Sequence, residues 1–159
     1  LRWPTSPMKR RPRRAREWAF PNSQHTLEAT DMTGSITALY AGILALLIVA
    51  LGINVTVHRV KLGVSLGDGD NPQMRRMIRI HGNAVEYLPL ALLLMLLYEL
   101  TGGAHIMLHI AGIALVAGRL LQSWGMWSTE LPGLGRRAGQ TLTWLTIAVL
   151  AALNLWRFV

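Results

Sequence analysis

Between positions 76 and 87 the chain places two guanidinium groups, an amide, a carboxylate and a phenol (Arg76, Arg79, Asn83, Glu86 and Tyr87) within an otherwise largely apolar stretch. At about 100° per residue in an α-helix, these five side chains fall within a sector of about 100°, so they form one polar stripe. Facing lipid, an arginine near mid-helix costs about 2.5–3.5 kcal/mol, and Asn83 and Glu86 add to that cost. The stripe must therefore face other protein or a water-filled cavity, and it marks an internal site. Two readings fit the residues alone. In one, Arg79 and Glu86 neutralise each other and Asn83 joins helices. In the other, the stripe receives a polar ligand.

Other polar residues read as parts of the scaffold. Arg119 lies inside another apolar segment and needs a partner, which Glu86, a backbone carbonyl or a ligand would supply. His105 and His109 stand four apart on one helix face, but no acidic residue or third histidine is placed with them and no HExxH motif is present. No metal site is expected there, and an interhelical hydrogen bond is the simpler role. Asn54, Gln140, Thr143 and Asn154 read as interhelical contacts. The sequence carries no Walker motif, no GxGxxG fingerprint and no GxSxG elbow.

The elements that must position the stripe are membrane helices. Of 159 residues, 52% are hydrophobic and 15% charged, with no cysteine, which excludes disulfides and cysteine metal sites. The 16 basic against 8 acidic residues give +8, a balance often found in nucleic-acid binders. Such domains cluster their bases on a soluble face and do not carry this much Leu, Ala and Ile, so no nucleic-acid partner is expected. Ile36 to Val57 is 22 residues without a charge, roughly 33 Å of helix against a hydrocarbon core of roughly 30 Å. Further spans are read at about 77–100, 104–125 and 138–156, giving an all-α, integral-membrane four-helix bundle over residues 32–159. Gly102-Gly103 marks a short turn that makes helices two and three antiparallel neighbours. Ala38, Ala41, Gly42 and Ala45, and Ala111, Gly112 and Gly118, suit close helix packing, and Trp124, Trp127 and Trp156 suit the membrane interface.

Residues 1–31 differ in kind. Seven basic residues, including the run Lys9-Arg10-Arg11-Pro12-Arg13-Arg14, and four prolines leave no hydrophobic period, and disorder is expected. Lys and Arg near the helix ends place loops one and three in the cytoplasm and both termini outside. The basic tail then lies on the wrong side, a conflict that disappears if the protein begins at Met32.

The run Arg79-x-x-x-Asn83-x-x-Glu86-Tyr87-x-Pro89, with Arg59 before it and Gly118-Arg119-Leu120 after it, resembles the MAPEG family, membrane-associated proteins in eicosanoid and glutathione metabolism. His58-Arg59, Leu66-Gly67-Asp68-Gly69 and Arg79-Ile80-His81-Gly82-Asn83 are similar to its bacterial branch, and the likeness runs from Thr33 onward. The resemblance implies a multi-pass protein of the cell inner membrane, a homotrimer that binds glutathione between subunits near the cytoplasmic face. It implies conjugation of glutathione to lipophilic electrophiles, or reduction of lipid hydroperoxides, among membrane lipid. Arg79, Asn83, Glu86 and Tyr87 would contact glutathione, with Arg76 and Arg59 in addition. The chemistry agrees, since arginines suit its two carboxylates, Glu86 its ammonium and Asn83 a peptide group.

Catalysis would need the thiolate. A thiol of pKa about 8.5 is ~3% ionised at pH 7, and a shift to ~6.5 raises this to roughly 75%. By the resemblance, Arg59, Arg136 and Arg137 are the candidates to cause that shift. Gln122 and Met126 stand at or near positions where the leukotriene-forming branch carries tyrosines. The alternative from another class is a noncatalytic lipid-binding or scaffold protein of the same fold.

A chain starting at Met32 is expected to insert, assemble and bind glutathione like the full chain. Loss of assembly on that truncation, measured in mild detergent, would overturn the expectation.

Overall fold

The computed structural model describes residues 34–128 and 133–157. The expectations for residues 1–31 lie outside these described residues.

Four helices follow one another: α1 Ser35–Leu62, α2 Pro72–Leu100, α3 His105–Ser128 and α4 Leu134–Trp156. All four are long and apolar enough to cross a membrane. Two begin or end well beyond the apolar runs. α1 continues five residues past Val57, through Arg59 and Lys61, until Gly63 closes it at φ 67° and its N–H bonds the Val60 carbonyl. α2 starts at Pro72 rather than near Met77, because Asn71 caps it. The Asn71 side-chain oxygen accepts from the N–H groups of Gln73 (2.9 Å) and Met74 (3.1 Å), and proline at the first helical position loses no bonded N–H. Arg75, Arg76 and Arg79 therefore stand on regular helix rather than in a loop.

α2 and α3 form the centre of the bundle. Each touches all three other helices, whereas α1 and α4 lie on opposite sides and do not meet. One buried cluster joins Leu44 and Leu51 of α1, Met77, Ile80, Ala84, Leu88 and Ala91 of α2, and Leu115 and Met126 of α3. A second joins Tyr40, Met95, Tyr98, Leu108, Ala111 and Leu150. Outward faces are apolar too: Leu46, Ile53, Leu93, Ile113, Leu145 and Val149 are exposed on single helices. That surface suits lipid, where a soluble protein would not leave it.

Close packing is concentrated between α3 and α4. A Cβ on Gly139 would overlap the Gly118 carbonyl and the Gln122 backbone, and one on Gly125 would overlap the backbone at Gly135–Arg136. Glycines at these crossings let the two backbones touch. Gly112 likewise makes room for the Tyr40 ring, but Gly42 faces open space within the protomer.

The pole at the α2–α3 turn is closed by two charges aimed at backbone. Glu99, 6% exposed at the end of α2, accepts from the first N–H groups of α1, Ile36 at 3.0 Å and Thr37 at 2.8 Å. It acts as an N-cap supplied from another helix. Arg157 donates from Nη1 to the Thr101 carbonyl and from Nη2 to the Gly102 carbonyl (2.7 Å), and its guanidinium lies 5.2 Å from the Tyr98 ring centre. Gly102 turns left-handed at φ 75°, as the Gly-Gly pair requires. Asn154 of α4 donates to the Leu94 carbonyl at 2.9 Å, and Tyr40 bonds His109 Nδ1 at 3.1 Å. These are the interhelical contacts expected of Asn154 and His109.

Removing the cap should loosen α1. Glu99→Ala is expected to cost about 1.5–3 kcal/mol, the range for hydrogen bonds to a charged group, and Glu99→Gln less. Unfolding by denaturing detergent checks this. A Glu99→Ala protein of unchanged stability would mean that water replaces the cap.

Candidate functional site

At the opposite pole, where α2 begins and α4 begins, a cleft of about 390 Å³ opens between helices. Pro72, Arg75, Arg76, Arg79, Asn83, Met126 and Arg136 line it. Arg75, Arg79 and Asn83 follow each other at steps of four and so present one face of α2. Arg136 arrives from α4 because Gly125 lets the Gly135–Arg136 backbone settle on α3. Asn83 Nδ2 lies 3.7 Å from Met126 Sδ, a weak acceptor that closes the floor. Of the residues singled out from sequence, the cleft thus gathers Arg76, Arg79, Asn83 and Arg136.

Arg75 was not among them, though its step of four from Arg79 was the signal that could have found it. It is also the arginine answered by the loop. Its Nε bonds Asp68 Oδ2 at 2.5 Å, and Asp70 lies 3.8 Å away. The Arg75 guanidinium holds the Asp68 carboxyl below its ordinary range. Both side chains are substantially exposed, so the pair fixes loop geometry more than stability.

Glu86 and Tyr87 lie farther along the same helix and do not line the cleft. Glu86 is exposed on the protomer, with its carboxylate folded back toward Gly82, where a Cβ would stand 4.0 Å from Oε1. Tyr87 is half-buried, its ring edge-on to Trp144 with centroids 6.4 Å apart. Among the described residues Arg79 and Glu86 form no salt bridge.

The remaining arginines divide sharply. Arg59 sits apart, donating to the Gly67 carbonyl at 2.9 Å and so bracing loop one. Arg137 is exposed and does not line the cleft. Arg119 is 1% exposed, and neither its Nε nor its Nη1 has a hydrogen-bond partner. One turn along α3, Gln122 donates to Gln140 Oε1 at 2.6 Å and leaves its own oxygen unpartnered. No group of three metal-binding side chains occurs among the described residues.

The arrangement is a cationic cleft at one end of the bundle, with Glu86 farther along α2 outside it and the buried Arg119 on α3. The sequence pattern of the MAPEG family matches residues 37–156, from early α1 to the last residue of α4. The chain belongs to the MAPEG family. Two relatives, both named Inner membrane protein YecN, come from Escherichia coli strain K12 and Escherichia coli O6:H1. Each is 40% identical over 121 residues, covering 76% of this chain and 91% of the relative. The MAPEG match thus contains the stripe, the cleft and all the charges that close the opposite pole except Arg157.

With no Arg79–Glu86 bridge to break, the two positions should act independently on folding. A double-mutant cycle with Arg79→Ala and Glu86→Ala is expected to show coupling below about 0.5 kcal/mol in stability. Coupling well above that would restore the neutralising pair.

Proposed function

We propose that the protein binds glutathione in the bacterial inner membrane and transfers it to lipophilic electrophiles or uses it to reduce lipid hydroperoxides. The observation that carries this reading is the distribution of charge along one face of α2. Four arginines and, among the described residues, no carboxylate line a cleft at one end, and Glu86, unbridged among the described residues, lies beyond it. Seven residues separate Arg79 from Glu86, about 10.5 Å along the axis. An extended tripeptide is about as long. Glutathione carries a carboxylate at each end and an ammonium at one, which suits that order of charges. Its thiol then falls near Asn83 and within reach of Arg136, the thiolate candidate that lines the cleft. Arg59 is engaged by loop one.

The active unit in this reading is a homotrimer. Arg79 and Glu86 are exposed on a single protomer at membrane depth, where a second subunit must cover them. Ala38, Gly42 and Ala45 leave a small-residue face on α1 for that approach. Loops one and three face the cytoplasm, where glutathione is available. The YecN relatives, named as inner membrane proteins, support the location.

A noncatalytic binder of the same fold is favoured by α3. There Gln122 is engaged with Gln140, and Met126 offers only a thioether. Neither acidifies a thiol.

Calorimetry with glutathione on the detergent-purified protein, followed by conjugation of an aromatic electrophile, separates these readings. Arg79→Ala and Glu86→Ala are each expected to weaken binding by about 1.5–3 kcal/mol, roughly tenfold to a hundredfold, with the trimer intact by native mass measurement. Arg136→Ala should bind and fail to conjugate. Unchanged affinity in Arg79→Ala would remove α2 from the site, and binding without conjugation by the unaltered protein would leave the noncatalytic reading.

A further inference from the structure

Loop one, residues 63–71, is folded back and tied at both ends. Arg59, near the end of α1, donates from Nη1 to the Gly67 carbonyl at 2.9 Å. The next residue, Asp68, uses each of its three oxygens: the carbonyl accepts the Asn71 N–H at 3.0 Å, Oδ1 the Asp70 N–H at 3.1 Å, and Oδ2 the Arg75 Nε at 2.5 Å. Asp70 stands in the left-handed region at φ 55°, a conformation that a residue other than glycine keeps only where its surroundings fix it. A Cβ on Gly69 would lie 2.9 Å from the Val64 side chain, so the path of the loop has little freedom.

Arg75 stands where this loop meets the cleft. It lines the cleft together with Arg79, and the same two arginines border a second hollow of about 350 Å³ with Gly67, Asp68 and Ile78. A long side chain that is 58% exposed thus has two spaces open to it besides solvent. Asp68 at Nε and Asp70 near Nη2 hold one edge of its guanidinium. Such an exposed ion pair adds little to stability, so its use lies in direction. A guanidinium already held in place loses less freedom when an anion arrives.

We propose that Arg75 is a further contact for the carboxylate at the glycine end of the bound thiol peptide, and that Asp68 and Arg59 are positioning residues that aim it through loop one without touching the ligand. The inference rests on the glutathione reading above and adds to it the part played by loop one. Arg59, expected from the resemblance to touch glutathione, acts instead through the Gly67 carbonyl. Charge and position predict opposite signs for Asp68. A carboxylate beside a cationic cleft repels an incoming anion, so on charge alone its removal tightens binding. If Asp68 aims Arg75, its removal weakens binding, and only while Arg75 is present.

Calorimetry with glutathione on the full chain in mild detergent decides between the two through a double-mutant cycle. Arg75→Ala is expected to bind roughly tenfold more weakly, the loss of one charge-assisted contact. Asp68→Asn keeps an oxygen for the Asp70 N–H, and it should bind about three- to tenfold more weakly, the cost of ordering one freed side chain. Placed on Arg75→Ala, the same change should alter affinity by less than about twofold. Arg59→Gln should follow the same pattern. Arg75→Lys, which keeps the charge but has no Nε, should resemble Asp68→Asn and be indifferent to further change at Asp68. Native mass measurement should find these variants assembled; if Asp68→Asn is not, Asp68→Glu takes its place in the cycle. Unchanged or tighter binding by the Asp68 variant, or a loss that persists on Arg75→Ala, overturns the positioning role. Unchanged binding by Arg75→Ala overturns the contact, and a loss in Arg59→Gln that persists without Arg75 puts Arg59 in the site itself. No binding by the unaltered protein overturns the glutathione reading, and this proposal with it.

Discussion

Inside hydrocarbon there is no water to answer a charge or an open backbone group, so each one must find its partner within the protein. The two poles of this bundle meet that constraint differently. At the α2–α3 turn, Glu99 answers the open N–H groups of α1 and Arg157 answers the Thr101 and Gly102 carbonyls of the turn that follows α2. Charge and backbone complete each other there. At the other pole, Arg79 and Arg136 converge on a cleft that, among the described residues, has no carboxylate in its lining, and on α3 Arg119 keeps two donors unused.

Packing follows from the same division. α2 carries the stripe and also contacts every other helix, so its path is over-determined by neighbours. The glycine contacts between α3 and α4 do for Arg136 what the Asn71 cap does for Arg75 and Arg76, fixing where a helix starts and hence where its first arginines point. A cationic cleft built on helix beginnings has its long side chains anchored on rigid backbone.

Much of this was legible in the sequence, and the parts that were not share a cause. The four spans could be read because lipid imposes a long apolar run, and the stripe because polar residues in such a run keep helical phase. The turn at Gly102-Gly103 was visible for the same local reason. The ends of α1 and α2 were misplaced by about five residues, since apolar runs mark where lipid begins and caps mark where helices begin. Glu99 gave no signal at all: its partners are 62 and 63 positions away in the chain, and nothing local distinguishes a capping carboxylate from a surface one. Arg157 escaped notice in the same way, and the bracing of loop one by Arg59 became visible only with the course of the Gly67 carbonyl. Long-range pairing is what a linear reading lacks.

The two closures at the α2–α3 pole also impose an order on biosynthesis. The amino end of α1 stays open until the chain has grown past Glu99, and the Thr101 and Gly102 carbonyls of the turn stay open until Arg157 has been added. A nascent chain therefore carries one uncapped helix end and two open turn carbonyls that only water or lipid headgroups can serve. Both closures come from residues added later, so a chain that ends just before Arg157 has its four spans in place and its latch missing.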